Sequence, residues 1–162
     1  MSYPADAFIR STGKQAHLGS LMFLRGEWVL SARFETPQEP IERTLILTGP
    51  NAGSIHGRFV DYGLCTAPDV TAEVRISSPG QWNEERSHAL PASLVVADDG
   101  LHQLWGHIAG SPVHRYGFTL DGYPLEKEEH ELAPFLQFSS YEVWLRRNGK
   151  ILSDKPLFTV GG

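Results

Sequence analysis

Apolar residues in this chain recur at every second position, and that period constrains the fold more than any other feature. Successive side chains of a strand point to opposite faces, so one apolar residue in two marks a strand with one buried face. The segment 27–35 is a clean case: Trp28, Leu30, Ala32 and Phe34 point one way, and Glu27, Val29, Ser31, Arg33 and Glu35 the other. Over 70–76, Val70, Ala72, Val74 and Ile76 alternate with Thr71, Glu73 and Arg75. One-sided strands of this kind belong to antiparallel sheets with one solvated face. Further strands are expected over 18–24, 41–48, 54–62, 92–97, 101–108, 113–120, 135–147 and 150–153, with a short last one at 157–160.

The turns between them are written in glycine and proline, of which the 162 residues hold 16 and 11. Asp99-Gly100 and Asn148-Gly149 are two-residue hairpin signals, because both positions of the tight turn need positive φ. Longer turns are expected at 49–53 and 109–112. Helix is scarce: one short charged segment near 124–131, with Pro124 opening it, is the sole candidate. The stretch 77–91 reads as a loop. With no linker, repeat or low-complexity tract, residues 1–162 form a single β-domain, in which 1–15 is expected to be a flexible N-terminal segment. Many short strands joined by hairpins predict an antiparallel β-barrel, which removes sheet edges, with a sandwich as the alternative.

Composition excludes several classes. Hydrophobic residues make up 41%, too many for a disordered chain. The net charge of −5, from 14 basic and 19 acidic residues, lacks the basic footprint of a nucleic-acid binder. The longest apolar stretch, 18–24, is far short of the roughly 20 residues that span a bilayer, so no membrane association is expected. A lone cysteine, Cys65, permits no internal disulfide. With Met1 to Arg10 lacking the basic-then-apolar pattern of a secretory signal, a cytoplasmic location is expected. The neighbours of Cys65 supply no base, so its thiol reads as inert and partly buried.

The meander 92–120 holds the densest chemistry. With Asp99-Gly100 as a two-residue loop, Leu94 stands opposite Trp105. With 109–112 as the next loop, His107 stands opposite His114 and Trp105 opposite Tyr116. One face then carries Leu94, Val96, Gln103, Trp105, His107, His114, Tyr116, Phe118 and Leu120. Apolar and aromatic walls with a polar group near one end are the anatomy of a small-molecule pocket. A core face reaching a solvated rim has the same pattern. The expected ligand-binding residues are Trp28, Gln103, Trp105, His107, His114, Tyr116 and Phe118. His107 and His114 alone do not make a metal site, which needs at least three protein ligands, and no zinc-ligand spacing occurs, so neither metal nor cofactor is expected. No nucleophile elbow or phosphate loop is present. Of the four tryptophans, Trp82 lies in the loop-like stretch and is the best candidate for an exposed aromatic, while Trp144 is undecided. Arg146, Arg147, Lys150 and Lys155 gather near the last hairpin, where solvation accounts for them.

At Leu24-Arg25-Gly26-Glu27-Trp28-Val29 the chain resembles the opening strand of the calycins, the lipocalin and avidin-like barrels, which carry Gly-x-Trp there. The glycine-punctuated run from Gly53 to Phe59 is similar to an early strand of that family. Arg146-Arg147 stands where lipocalins place a basic residue over the tryptophan. Val60-Asp61-Tyr62 matches the family's Thr-Asp-Tyr motif only in part. The resemblance implies a barrel with a central cavity and a hydrophobic ligand.

Three functional readings follow. The first is a soluble barrel holding a small, largely apolar molecule in its interior, with Trp28, Trp105 and Tyr116 as walls and the two histidines orienting a polar end. The second is a protein-interaction module, of accessory, immunity or phage and virulence type, with a filled core. The third is a cavity-based isomerase or cyclase using His107, His114 and Tyr116 as acid–base groups. With no catalytic motif recognisable, binding is preferred over catalysis. The partner is a small hydrophobic molecule or a protein, and the chain is a monomer or a homodimer.

Overall fold

The computed structural model describes residues 3–34, 41–83, 92–96, 102–108, 111–123 and 135–161. It is all-β. A single 3-10 turn, Ala5–Ala7, precedes the strands β1 (Phe8–Thr12), β2 (Leu21–Leu24), β3 (Glu27–Phe34), β4 (Ile41–Ile46), β5 (Ser54–His56), β6 (Tyr62–Thr66), β7 (Val70–Ile76) and β8 (Gln81–Asn83). There follow β9 (Leu94–Val96), β10 (His102–Ile108), β11 (Ser111–Phe118), β12 (Phe135–Phe138), β13 (Tyr141–Arg147), β14 (Lys150–Ile151) and β15 (Phe158–Val160). The expected helix near 124–131 and the Asp99-Gly100 turn lie outside the described residues. Among the described residues no helix is long and apolar enough to cross a membrane.

Two sheets result. The larger has eleven strands in the order β1-β6-β2-β3-β4-β5-β10-β9-β12-β8, with β11 on the other side of β10. The smaller has four: β13 at its centre, β7 along one edge, and β14 and β15 along the other. Pairing is antiparallel except where β5 meets β10. Among the described residues no pairing joins the end strands β1 and β8, so the path of the larger sheet stays open.

One apolar cluster lies between the sheets. Leu21, Leu30, Leu45, Ile55, Leu94 and Phe118 come from the larger sheet, and Val70, Tyr141, Val143 and Leu145 from the smaller. The alternation read from 27–35 and 70–76 is what supplies this face, with Trp28, Ala72 and Val74 packing against the cluster. Tyr141 ties the layers together: fully buried in β13, it donates its hydroxyl to the Ala92 carbonyl at 2.7 Å.

The opposite face of β3 is not solvated, as strict one-sidedness predicts, but holds a second small core. Met22, Leu24, Val29, Ile46 and Cys65 are buried there beneath Ala16 and Phe59. Arg58 fastens this cover, donating to the carbonyls of Gly13 (3.0 Å) and Ala16 (2.6 Å) while ion-pairing with Glu42.

Other segments depart from the expected boundaries. The run 135–147 breaks at Ser139-Ser140, so β12 joins the larger sheet and β13 the smaller. Ser78 holds this corner, accepting from the Ser140 amide at 3.2 Å. The strand 54–62 ends at His56, and β1, β6 and β8 form where no strand is expected, β8 inside the loop-like 77–91. Asn148-Gly149 turns as expected, with φ of 50° and 75° and Arg147 paired to Lys150.

Candidate functional site

The register across β1, β6, β2 and β3 builds one site. Arg10 pairs with Leu64, Leu64 with Phe23, and Phe23 with Trp28, so these four residues form one row across four strands. The neighbouring row holds Leu30 and Leu45, opposite each other and buried in the core. Both rows share a face, because residues two apart on a strand do. Burial falls away along the outer row. Leu47, which bonds to the Trp28 carbonyl, is 1% exposed; Trp28 is half-buried; Phe23 is 41% exposed and Leu64 53%. Arg10 at the end is exposed. The core face therefore continues past the covering sheet and, among the described residues, is left open.

Aromatic contacts mark the border. Trp28 stacks on Phe158 of β15 at 5.2 Å and 12°, and its other neighbour Phe23 lies 5.2 Å away at 54°. Beyond Phe23 the surface forms an open groove of about 460 Å3, lined by Arg10, Phe23, Arg25, Tyr62, Gly63 and Leu64. Tyr62 is 60% exposed, and the Arg10 guanidinium lies 4.3 Å from the centre of its ring.

Local chain geometry sets these positions. Arg25 and Gly26 join β2 to β3 with φ of 52° and 80°, the two positive values of a type I′ turn. Glycine adopts this conformation freely, whereas arginine does so at a steric cost. Arg25 is held there by the Phe59 ring, 4.9 Å from its guanidinium, and by an ion pair in which its Nε donates to Asp61. That hydrogen bond and the carboxylate charge push the Arg25 pKa upward. Gly63 is required on the floor, since a Cβ there would run into the Phe23 carbonyl.

Of the expected site residues, Trp28 and Phe118 have described side chains. Trp28 packs against Phe23 and Phe158 and is not part of the groove lining. Phe118 is fully buried in the core, opposite Leu104. The side chains of Gln103, Trp105, His107, His114 and Tyr116 lie outside the described residues, but their backbone register differs from the expected one. β10 and β11 pair Trp105 with Gly117, Gly106 with Tyr116 and His107 with Arg115, and a register shift follows before Ile108 meets Ser111. His107 and His114 are therefore not opposite each other. β9 and β10 are also one residue out, pairing Leu94 with Leu104 rather than with Trp105. A one-residue change of register exchanges the faces that paired residues share.

Elsewhere Trp82, the expected candidate for an exposed aromatic, is 58% exposed and pairs across strands with Leu136 (38%). Trp144 is buried with Arg75 over its ring at 4.1 Å. Arg146 pairs with Glu73, and Arg147 with Asp6 and Asp69, so both belong to the packing of the last hairpin. Cys65 is fully buried, and burial pushes its thiol pKa up. His17 is pushed down by burial. Among the described residues no three His, Cys, Asp or Glu side chains gather as metal ligands would.

The groove was missed in the sequence because Arg10, Phe23 and Leu64 are remote along the chain and meet only through the β1-β6-β2 order. The available signal was Arg25-Gly26, two residues between the strand candidates 18–24 and 27–35. The chain matches no family model, no curated protein and no solved structure.

Proposed function

We propose that this chain is a non-catalytic binding protein whose small-molecule ligand lies in the groove at the uncovered end of the core face. The part of the row from Phe23 to Arg10 carries this reading, because it continues the core face and no described residue covers it. Exposed contiguous apolar surface rimmed by polar groups marks binding sites, and the groove volume suits a small organic ligand. The groove lining favours binding over an isomerase or cyclase: it contains no histidine, carboxylate or thiol side chain, and apart from two arginines and a tyrosine it is apolar or glycine.

The architecture we propose is a sandwich rather than a closed calycin-like barrel. Its support is the open strand path of the larger sheet and the single core shared with the smaller one. The ligand then rests against the end of the sandwich and not in a central cavity.

The test is binding of the neutral fluorophore N-phenyl-1-naphthylamine. Saturable fluorescence enhancement is expected in the wild type, and a large loss of affinity in Phe23→Ser/Leu64→Ser, with Leu64→Gln alone as the milder variant. Unchanged binding in both variants overturns the assignment.

A second reading, a homodimer through β8, is favoured by one observation. The Trp82–Leu136 pair is exposed where the strand path ends among the described residues. Sedimentation of wild type against Trp82→Lys tests it: a dimer that the variant abolishes supports the reading, and a wild-type monomer removes it.

A further inference from the structure

We infer that the groove selects a ligand with an anionic head and a flat apolar body of about two rings, taking the anion on Arg10 and drawing Arg25 away from Asp61. This rests on the groove being the binding site.

The charges carry the argument. The chain has a net charge of −5, and its described arginines are mostly matched to carboxylates. Arg33 and Arg58 share Glu42, Arg75 and Arg146 share Glu73, and Arg147 pairs with Asp6 and Asp69. Among the described residues no carboxylate pairs with Arg10. Its guanidinium carbon lies 4.3 Å from the centre of the Tyr62 ring instead, a cation–π contact that does not use up its N–H donors. A guanidinium edge presents parallel donors that match a carboxylate, sulfonate or phosphate. Arg43 is likewise without a carboxylate among the described residues, its guanidinium donating to the Glu42 carbonyl, but Arg10 stands at the head of an apolar row, where an anionic ligand complements it.

Geometry sets the body. Neighbouring strands lie about 4.8 Å apart, so Arg10 on β1 and Phe23 on β2, with β6 between them, are separated by roughly 10 Å. That is the length of a fused two-ring system reaching from a head at Arg10, across Leu64, to the face of Phe23. Phe23, backed by Trp28, closes the inner end.

Arg25 adds a competitor. It lines the same groove, but its Nε donates to Asp61. This pair is exposed, so an incoming anion competes with Asp61 at little cost. Asp61 thus weakens binding of anions and not of neutral ligands.

The experiment compares two probes with the same aromatic body, 8-anilinonaphthalene-1-sulfonate and neutral N-phenyl-1-naphthylamine, on the full chain. The wild type is expected to prefer the sulfonate, with a preference that shrinks as salt rises. In Arg10→Gln the ratio of sulfonate to neutral affinity is expected to fall roughly tenfold. In Asp61→Asn it is expected to rise roughly threefold. A ratio unchanged in Arg10→Gln and insensitive to salt overturns the anion assignment while leaving the groove in place. Failure of both probes to bind the wild type overturns the groove itself. Circular dichroism of each variant confirms that it is folded.

Discussion

Replacing Tyr141 with phenylalanine removes one oxygen and keeps the ring that fills the space between the sheets. The lost bond, 2.7 Å long to the Ala92 carbonyl, joins the smaller sheet to the segment entering β9 of the larger. Both residues are buried, at 0% and 3% exposure, so water cannot replace the missing partner. Leaving that carbonyl unpaired costs about 1–2 kcal/mol. For a domain of this size the melting temperature falls by about 3–6 °C. Ala92 has a φ of 63°, a conformation that alanine holds reluctantly, and the Tyr141 bond fixes it there.

The same substitution has a pH signature. Burial pushes the folded-state pKa of Tyr141 well above that of an unfolded phenol. Below about pH 10 both states carry the proton and the contribution is constant. Above it the unfolded phenol ionises while the folded one stays neutral, so wild-type stability falls by up to about 1.4 kcal/mol per pH unit. Tyr141→Phe lacks this limb. Denaturant unfolding followed by tryptophan fluorescence from pH 7 to 11.5 should show the variant less stable at pH 7. The difference should shrink above pH 10 and change sign about one unit higher. A difference under about 0.3 kcal/mol at pH 7, or parallel alkaline limbs, refutes the reasoning.

Three further outcomes are expected. Gly63→Ala forces β6 away from β2 at the Phe23 carbonyl and destabilises the chain by about 2–3 kcal/mol; a neutral result would mean the strands do not approach so closely. Arg58→Ala releases the Gly13 and Ala16 carbonyls, so the Lys14 amide, bonded to the Phe59 carbonyl, exchanges hydrogen roughly tenfold faster or more; unchanged exchange would show that Arg58 does not fasten this cover. Cys65 reacts with a thiol reagent only through unfolding, with a rate rising in step with denaturant, whereas labelling within seconds in native buffer would contradict its burial.

What the sequence disclosed depended on whether the cause was local. β3 and β7 are legible because alternate residues of each strand, from Trp28 to Ala32 and from Val70 to Val74, face the main core. Asn148-Gly149 was legible because its turn type is fixed by two residues. Trp82 is the best candidate for an exposed aromatic because it lies in a loop-like stretch, and it is exposed. β6 was hidden: Tyr-Gly-Leu-Cys-Thr alternates, but its Leu64 lies in an exposed groove and its Cys65 in a second core, so neither face reads as the core. The solvated face expected of β3 failed because 13–17 and 56–60 fold over it, a tertiary event. The expected His107–His114 pairing failed because the register of β10 and β11 slips by one residue, which alternation cannot see. The groove itself arises from a strand order that no local pattern encodes.

The central claim is that ligands bind where the core face emerges between β1, β6 and β2. Mapping amide chemical shifts of the labelled chain during titration with 8-anilinonaphthalene-1-sulfonate tests it most directly. The account predicts saturable shifts concentrated at Arg10, Phe23, Arg25, Gly63 and Leu64, with those around Tyr141 and Leu145 unmoved. Shifts centred instead on β10 and β11, from Trp105 to Tyr116, or none at saturating probe, would contradict it.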